Sequence, residues 1–281
     1  MKRVNFFAIA AIGFSLTTMV SCNGNLNLGT NAALTLTATD EAQVASINDE
    51  VISTVDDYAL AFDNAGYQRV RSLVNVDSVL ITVDNSDPKV FPKVITIDFG
   101  TTGFVGKRGN TLKGKIIVSI SNRMAIAGST KTITYDNFSI NDNVILGTKT
   151  VTFNGITDLK PSWTIIAKDT IERADGKTVI WNTERTRTRI DDNNTERLYW
   201  DDTYSISGSS NGINANGVAY SMVIEPTNPL IAYSNYRHFV KGSVTTTTEK
   251  RTALMDYGDG TRDNIATLTI NGITKEIKLR N

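Results

Sequence analysis

The sequence has very little of several residue types that carry cross-links and catalysis. Its 281 residues include one cysteine, one histidine and five prolines. A single cysteine excludes an intramolecular disulfide, and His238 is the only side chain that ordinarily titrates near neutral pH. Beyond the first 20 residues there is no run of about 18 apolar residues, so no later segment predicts a membrane-spanning helix.

The sequence also has no excess of charge of one sign. The chain contains 29 basic and 29 acidic residues. Nucleic-acid binding needs a basic patch or stripe, and this balance indicates none. We therefore predict no nucleic-acid partner.

Known catalytic motifs are also missing. The sequence has no Gly-x-Ser-x-Gly elbow, no His-Glu-x-x-His and no phosphate-binding loop. Glu184 with Asp201 or Asp202 forms an acid pair of the kind that a glycosidase needs, but a β protein of this size offers such pairs by chance. We predict that the protein is not an enzyme, uses no cofactor and holds no metal.

What the sequence does have begins with a leader. Met1-Lys2-Arg3 precedes an apolar stretch from Phe6 to about Leu16, and Met19-Val20-Ser21-Cys22 follows. A charged start, a short apolar segment and small residues before a cleavage point are typical of a secretory signal. Because the cysteine comes directly afterwards, the segment resembles a bacterial lipoprotein signal with its lipobox. We predict cleavage before Cys22 and its acylation by palmitate-type chains, which anchor the protein in a membrane.

The residues around the cysteine also predict a location. Asn23, rather than aspartate, follows Cys22. By resemblance to lipoproteins with a sorting rule at this position, this predicts the outer membrane of a Gram-negative bacterium. The uncharged segment 23–30 lacks the acidic cluster that resembles a surface-export signal, which favours a periplasm-facing orientation. The predicted organisation is a signal peptide over 1–21, a lipidated N-terminus and tether over 22–35, and one domain over 36–281.

One helix is predicted at about 40–63. Asp40 followed by Gln43 is a capping-box pattern. Apolar residues then recur at steps of three and four and form one stripe: Val44, Ile47, Val51, Val55, Tyr58 and Phe62. The acids lie mostly on the other side of the helix: Asp49, Glu50, Asp56 and Asp57. We expect the stripe to cover one face of a sheet, with a partner groove as the alternative.

From Tyr67 onward, every periodic segment is typical of a β-strand. The segments are short, rich in Val, Ile, Thr and aromatic residues, and separated by turn residues. Hairpin turns are indicated at 141–143, 175–176, 216–217 and 271–272. Such connections are too short for crossover helices, so neighbouring strands must be antiparallel. The predicted fold is mainly β, an antiparallel meander with one N-terminal amphipathic helix. Periodicity leaves open whether it is an open curled sheet, a sandwich or a barrel.

The most unusual strand contains three arginines. Arg185, Arg187 and Arg189 share one face with Trp181 at a period of two. We expect Asp201 opposite Arg187 in the next strand, as a cross-strand ion pair. The alternative is a surface that binds an anionic glycan or a lipid headgroup through arginine forks. This candidate ligand surface consists of Trp181, Arg185, Arg187, Trp200, Asp201 and Asp202.

Two other groups have a structural and a functional interpretation. Trp163, Trp181 and Trp200 lie in three adjacent predicted strands, where they either pack in the core or form a sugar-stacking platform. The segment 256–263 contains three carboxylates, but Gly258 occupies the second ligand position of a calcium loop. We predict core packing for the tryptophans and a tight β turn for the acidic segment.

Five phrases between Phe91 and Leu279 resemble a family of uncharacterised lipoproteins from Bacteroidetes. They are Ile95-Thr96-Ile97-Asp98-Phe99-Gly100, Arg108-Gly109-Asn110-Thr111-Leu112-Lys113-Gly114-Lys115, Gly147-Thr148-Lys149-Thr150-Val151-Thr152, Trp181-Asn182-Thr183-Glu184-Arg185-Thr186-Arg187 and Met255-Asp256-Tyr257-Gly258-Asp259-Gly260-Thr261. The resemblance covers about two-thirds of the chain. It implies a lipid anchor and an all-β body, and it supplies no catalytic residue.

These features predict a non-enzymatic, lipid-anchored protein of the cell envelope with a structural or interaction role. Its expected partners are the membrane, through Cys22, and a glycan or an envelope protein. One alternative is glycan binding through the Arg, Trp and Asp strands. The other is lipid handling by a half-barrel with the helix as its lid, which requires an apolar concavity.

Overall fold

The computed structural model describes residues 28–60, 79–85, 87, 89–191 and 201–280. It is mainly β, with 56% strand, one antiparallel sheet of 15 strands and a single helix of 28 residues. This confirms the predicted fold class. Inward-facing residues of strands as far apart in the sheet as 93–98 and 265–270 pack in cores that include residues of the helix. The sheet therefore curls around the helix.

The helix, α1, spans Leu28–Val55 and continues into a π-helical turn, Asp56–Leu60. It begins 12 residues before the predicted start at Asp40, so residues 28–35 of the predicted tether are helical. Asp40 is not a cap, because its carboxylate faces the sheet and accepts hydrogen bonds from Arg173 and Arg280. Leu34 and Ala38 extend the buried side of the helix toward its start. Phe62 and the predicted end at residue 63 lie outside the described residues.

The helix is buried on more than one side. Val44, Ile47, Val51, Val55 and Tyr58 of the predicted stripe are all at most 8% exposed, which confirms that the stripe packs inside. The acids of the helix, however, are largely covered, since the side chains of Asp49, Asp56 and Asp57 are 13%, 14% and 9% exposed. The exposed fractions of Asp40, Glu41 and Glu50 are 1%, 2% and 4%. The sheet covers the polar side of the helix as well as its apolar side.

The strands, numbered in chain order, connect mostly by short turns. They are β1 Leu80–Val83, β2 Lys93–Asp98, β3 Phe104–Val105, β4 Thr111–Ile120, β5 Thr130–Ile140, β6 Asn143–Thr157, β7 Lys160–Glu172, β8 Thr178–Arg189, β9 Thr203–Ile213, β10 Ala219–Ile224, β11 Leu230–Tyr233, β12 Lys241–Thr248, β13 Thr252–Asp259, β14 Ile265–Ile270 and β15 Ile273–Lys278. The strands β3 and β11 are short, with two and four residues.

The sheet is a meander with two small additions. Its strands pair in the order β1-β2-β4-β5-β6-β7-β8-β9-β10-β12-β13-β14-β15, while β3 pairs with β4, and β11 pairs with β9 and β12. The predicted hairpin turns at 141–143 and 271–272 contain the left-handed residues that such turns need. Asn141 and Asp142 have φ of 49° and 62°, and Asn271 and Gly272 have φ of 52° and 76°.

The buried apolar residues form two clusters, and α1 belongs to both. Val44, Ile47, Val51, Ile52 and Val55 join residues of β1, β2 and β4–β8 in the first cluster. Leu34, Ala38, Ala42 and Ala45 join residues of β9–β14 in the second. The C-terminal half of the helix therefore fills one part of the curled sheet, and the N-terminal half fills the other.

Contacts along α1 show how the helix runs through the sheet. Near its start, Asn31 accepts a hydrogen bond from Arg251 at 2.7 Å, and Thr37 accepts one from Asn214 at 2.7 Å. After its end, Asp56 pairs with Lys131 of β5, which lies beside Val151 of β6. The helix thus starts beside the β9–β10 and β12–β13 turns, and the residues after its end lie beside the part of β5 that pairs with β6.

Candidate functional site

The polar residues of the interior are concentrated where α1 meets the sheet. Residues 28–60 contain six acids and no lysine or arginine. The acids are Asp40, Glu41, Asp49, Glu50, Asp56 and Asp57. Each lies within ion-pair distance of a cation from the sheet or its loops. We call this set of contacts the helix–sheet charge interface.

Glu41 lies at the centre of the most buried part of this interface. Its carboxylate accepts hydrogen bonds from Trp181 Nε1 at 2.8 Å, Arg185 Nη2 at 2.9 Å, Ser210 Oγ at 3.0 Å and Tyr220 Oη at 2.9 Å. Burial raises the pKa of Glu41, and the charge of Arg185 together with the hydrogen bonds opposes that rise. Four donors on two oxygens satisfy the carboxylate without water.

Arg185 is enclosed in the same place. Alternation along β8 turns Trp181, Thr183 and Arg185 inward, while Glu184 points outward. The guanidinium lies 5.0 Å from the centre of the Trp181 ring, which is the distance of a cation–π contact. Burial lowers the pKa of Arg185, and Glu41 opposes that change. The pair is held by Coulomb attraction inside the protein, where removing either partner leaves a buried charge.

Arg187 joins the helix at a second point. Its guanidinium lies 3.5 Å from the centre of the Tyr204 ring, 3.7 Å from Asp56 and 3.9 Å from Asp49. The predicted cross-strand partner of Arg187 was Asp201, and this prediction is wrong. The register of β8 and β9 places Ile206 opposite Arg187. The carboxylates come from the helix, which period-two reasoning along the strands does not consider.

Asp202 is buried near Arg187 but serves a different group. It is 1% exposed and accepts a hydrogen bond from Tyr204 Oη at 2.8 Å. Burial raises the pKa of Asp202 to about 6, the proximity of Asp191 adds to the rise, and the Tyr204 hydrogen bond limits it. The carboxyl therefore titrates at mildly acidic pH.

Sequence reasoning did not identify the third part of the interface. Arg108 Nε donates to Glu50 Oε2 at 2.7 Å, and Arg108 Nη1 donates to the backbone oxygen of Ser234 at 2.7 Å. Asn110 Nδ2 donates to the same Glu50 oxygen at 2.9 Å. The signal that could have found it is the composition of α1. An acidic helix without a base, once buried, requires cations from the sheet.

The candidate ligand surface predicted from the sequence is not a solvent-facing surface in this arrangement. Trp181, Arg185, Arg187 and Asp202 are at most 2% exposed. Asp201, which precedes β9, is partly exposed. Trp200 and the acylation site Cys22 lie outside the described residues. The four buried residues face inward because the sheet wraps the helix, which covers the face that would otherwise be open.

The other groups that the sequence singled out are scattered. Glu184 is exposed on the outer face of β8, whereas Asp202 is buried, so these two acids do not share a site. His238 is 5% exposed, and Trp163 packs against both apolar clusters. In the acidic segment, Asp256, Asp259 and Asp263 each accept a hydrogen bond from a backbone N–H two residues later. These are the bonds of tight turns.

Little space is left between helix and sheet. Narrow spaces beside α1 hold about 10 Å³ each, which is the volume that one water molecule needs. A larger open groove, of about 410 Å³, lies outside the interface, at the start of α1. Its walls are Ala33, Leu34 and Thr37 of the helix, residues 217–219 and residues 248–251.

Comparison with known proteins identifies no relative of this chain. No protein-family model, no curated protein and no solved structure matches this chain. Among the described residues there is no group of three or more side chains that could together bind a metal ion. No helix in the same residues has an apolar segment long enough to cross a membrane.

Proposed function

We propose that the protein is a non-enzymatic lipoprotein of the cell envelope, held by acylated Cys22 at the periplasmic face of the outer membrane, with a structural or interaction role. The observation that carries the proposal is that the buried polar residues bind one another across the contact between α1 and the sheet. The four donors around Glu41, and the arginines of β8, are engaged in holding α1 inside the sheet. Side chains that fix a core in this way support a scaffold more than a site that exchanges ligands.

The two alternatives receive less support from the geometry. Glycan binding through the Arg, Trp and Asp strands needs Trp181, Arg185 and Arg187 at an accessible surface, and all three lie beneath α1. Lipid handling needs an apolar concavity, and within the described residues α1 fills the concave face of the sheet. The resemblance to Bacteroidetes lipoproteins agrees with the anchor and stays a prediction.

The anchor is tested by a Cys22→Ser variant expressed from its own leader. We expect the wild type in the outer-membrane fraction and the variant in the soluble periplasmic fraction, because stable anchoring needs two or more acyl chains. Ser21→Ala is the matched control, since it keeps a small residue before the cleavage point and should fractionate as the wild type does. Membrane localisation of Cys22→Ser at wild-type levels, or an intact mass without acyl chains, would refute the proposal.

The role is tested separately on the soluble chain. We expect no binding of envelope polysaccharides in affinity electrophoresis and no retention on a glycan array. Saturable binding that is lost in the variant Asp201→Asn, which changes a partly exposed member of the candidate ligand surface, would replace the structural role with the glycan alternative.

A further inference from the structure

The open groove at the start of α1, of about 410 Å³, has mixed chemistry. Its floor is apolar, with Ala33 and Leu34 on the helix and Val218 and Ala219 in and after the β9–β10 turn. Lys250 lies on its rim in the β12–β13 turn and is exposed. An apolar floor with cations at its edge matches the boundary between the acyl chains and the headgroups of a bilayer.

The acids at this end of the molecule are partly neutralised. In the β7–β8 turn, Asp175 pairs with Arg173 at 3.2 Å. Lys177, in the same turn, donates to Asn216 of the β9–β10 turn at 3.1 Å, so its charge is not consumed by a carboxylate there. Lys177 therefore lies beside the β9–β10 turn outside the groove, whereas Lys250 lines the groove together with Glu249 and Arg251.

The position of the groove relative to Cys22 gives an independent argument. Cys22 is six residues before Leu28, where α1 begins. Because an extended residue spans at most about 3.6 Å, an acyl anchor on Cys22 lies within about 22 Å of the first helical residue. From Asn31 to Asp56 the helix rises about 1.5 Å per residue, or about 37 Å in all. The anchor thus reaches the groove easily, while the opposite end of the helix is farther away than the tether allows.

The β6–β7 hairpin marks that opposite end. Lys131, paired with Asp56, lies beside Val151 in the sheet, and the hairpin continues from Val151 to its tip at Leu159. At about 3.3 Å per residue, the tip lies about 25 Å along the strand from Val151. Leu159 is 92% exposed, so the tip is a solvent-facing reference point far from the groove.

We propose that the end of the molecule formed by the first turns of α1 and the β9–β10 and β12–β13 turns rests on the bilayer surface, with lipid filling the groove between them. This inference rests on the proposed acylation of Cys22, and it adds which face the protein turns to the membrane. The β6–β7 tip then points away from the bilayer. The outer face of the sheet is roughly perpendicular to the bilayer surface.

The orientation is tested on acylated protein purified from cells and reconstituted into vesicles of phosphatidylethanolamine and phosphatidylglycerol. Because Cys22 is blocked by its thioether, single cysteines introduced by Lys250→Cys, Ser209→Cys or Leu159→Cys take a fluorescent label selectively. These positions report the groove rim, the outer face of the sheet and the hairpin tip. With brominated lipids, we expect quenching at position 250 to be at least about fivefold stronger than at 209 or 159.

Other quenching patterns overturn the inference. Strongest quenching at 209 means that the sheet lies flat on its outer face, and strongest quenching at 159 means that the hairpin tip inserts. Equal, weak quenching at all three positions in acylated protein means that the body does not touch the bilayer. The intact mass is measured before labelling. A mass without acyl chains would refute the proposed function rather than this inference.

A charge reversal tests the contact without the anchor. In the soluble mature chain with Cys22→Ser, we expect Lys250→Glu to lower binding to the same vesicles by about threefold or more. Lys160→Glu, next to the hairpin tip, is the matched control and should leave binding unchanged. Both lysines are exposed, so we expect both variants to keep the fold. Thermal unfolding of the two variants checks this expectation. Equal losses in the two variants would attribute the binding to net charge and contradict the inference.

Discussion

At the scale of single residues, Glu41 is the carboxylate on which the buried interface depends most. Replacing it by Glu41→Gln keeps the shape but removes the charge that faces Arg185. An uncompensated buried charge costs about 3–5 kcal/mol, so we expect the free energy of unfolding to fall by that amount. The measurement is urea unfolding of the soluble mature chain, followed by tryptophan fluorescence.

Two further variants separate charge from packing at this position. Glu184→Gln lies on the same strand as Arg185 but on the outer face, and we expect a change within about 0.5 kcal/mol. The double variant Glu41→Gln, Arg185→Met removes both charges and keeps an acceptor for Trp181, Ser210 and Tyr220, so it should recover most of the loss. A Glu41→Gln variant as stable as the wild type would show that the pair does not hold the helix.

Asp202 predicts a dependence of stability on pH. Its pKa in the folded protein is about 6, above the ordinary 3.8, so the folded state binds the proton more tightly than the unfolded state does. The contribution of this group to the free energy of unfolding is therefore largest below about pH 4 and is lost as the pH rises through 6. We expect Asp202→Asn, which keeps an acceptor for Tyr204, to gain on the order of 2 kcal/mol relative to the wild type between pH 4 and 7.

The comparison is made by urea unfolding at several pH values. Glu225→Gln, an exposed acid after β10, is the control and should follow the wild-type curve. Parallel curves for Asp202→Asn and the wild type would contradict the raised pKa.

At the scale of elements, the turn of the β6–β7 hairpin contains a conformation that its sequence disfavours. Asp158 and Leu159 have φ of 51° and 63°, and a left-handed residue other than glycine costs about 1–2 kcal/mol. Leu159→Gly gives the Asp-Gly pair that this type of turn favours. Because Leu159 is 92% exposed and loses little packing, we expect the free energy of unfolding to rise by about 0.5–1 kcal/mol.

Leu159→Ala separates backbone strain from the loss of an exposed leucine. Alanine removes the same side chain but keeps a Cβ, so the strain remains and no gain is expected. Denaturant unfolding of the three proteins decides the point. Equal stabilisation by alanine and glycine would show that the exposed side chain, rather than φ, is responsible.

Also at the scale of elements, the strands were easier to predict than the helix. Alternation and turn residues indicate the hairpins at 141–143 and 271–272, since period two and left-handed turns are local properties. The apolar stripe of α1 is local as well, and it is confirmed. The predicted start of the helix at Asp40 is wrong. Asp40 has the local pattern of a cap, but its carboxylate pairs with Arg173 and Arg280, which lie far away in the sequence.

The same limit applies to the candidate site. The sequence correctly places Trp181, Arg185 and Arg187 on one face of a strand. It cannot indicate whether that face is open, because this depends on how far the sheet curls and on what fills it. The partners of these residues, Glu41, Asp49 and Asp56, lie on a helix more than 100 residues earlier in the chain. Only their unusual composition, acidic without a base, hints that they are buried.

At the scale of the whole molecule, α1 couples the two apolar clusters. Ile116 of β4 is fully buried in the first cluster, and β13 and β14 belong to the second. Ile116→Ala should cost about 2–5 kcal/mol through the cavity that it leaves. If the helix makes the two clusters one cooperative unit, the amides of β13 and β14 lose as much protection as those of β4 and β5.

Native-state hydrogen exchange measured strand by strand provides the test. Val105→Ala, at a position 66% exposed, should change protection nowhere and serves as the control. Loss of protection confined to β1–β8 in Ile116→Ala would mean that the clusters unfold independently and that α1 does not transmit the change.

The contact between Asp40 and Arg280 joins the beginning of the folded body to its last described residue, 240 positions along the chain. Asp40 meets its first cation, Arg173, only after β7 has been made, and its second, Arg280, only after all the strands. While the polypeptide is being made, the anionic segment 28–60 has no basic residue of its own and forms its ion pairs only as later segments follow. Closure of so long a loop makes folding slow and dependent on the complete chain. The complete set of ion pairs around α1 therefore requires the chain as far as Arg280.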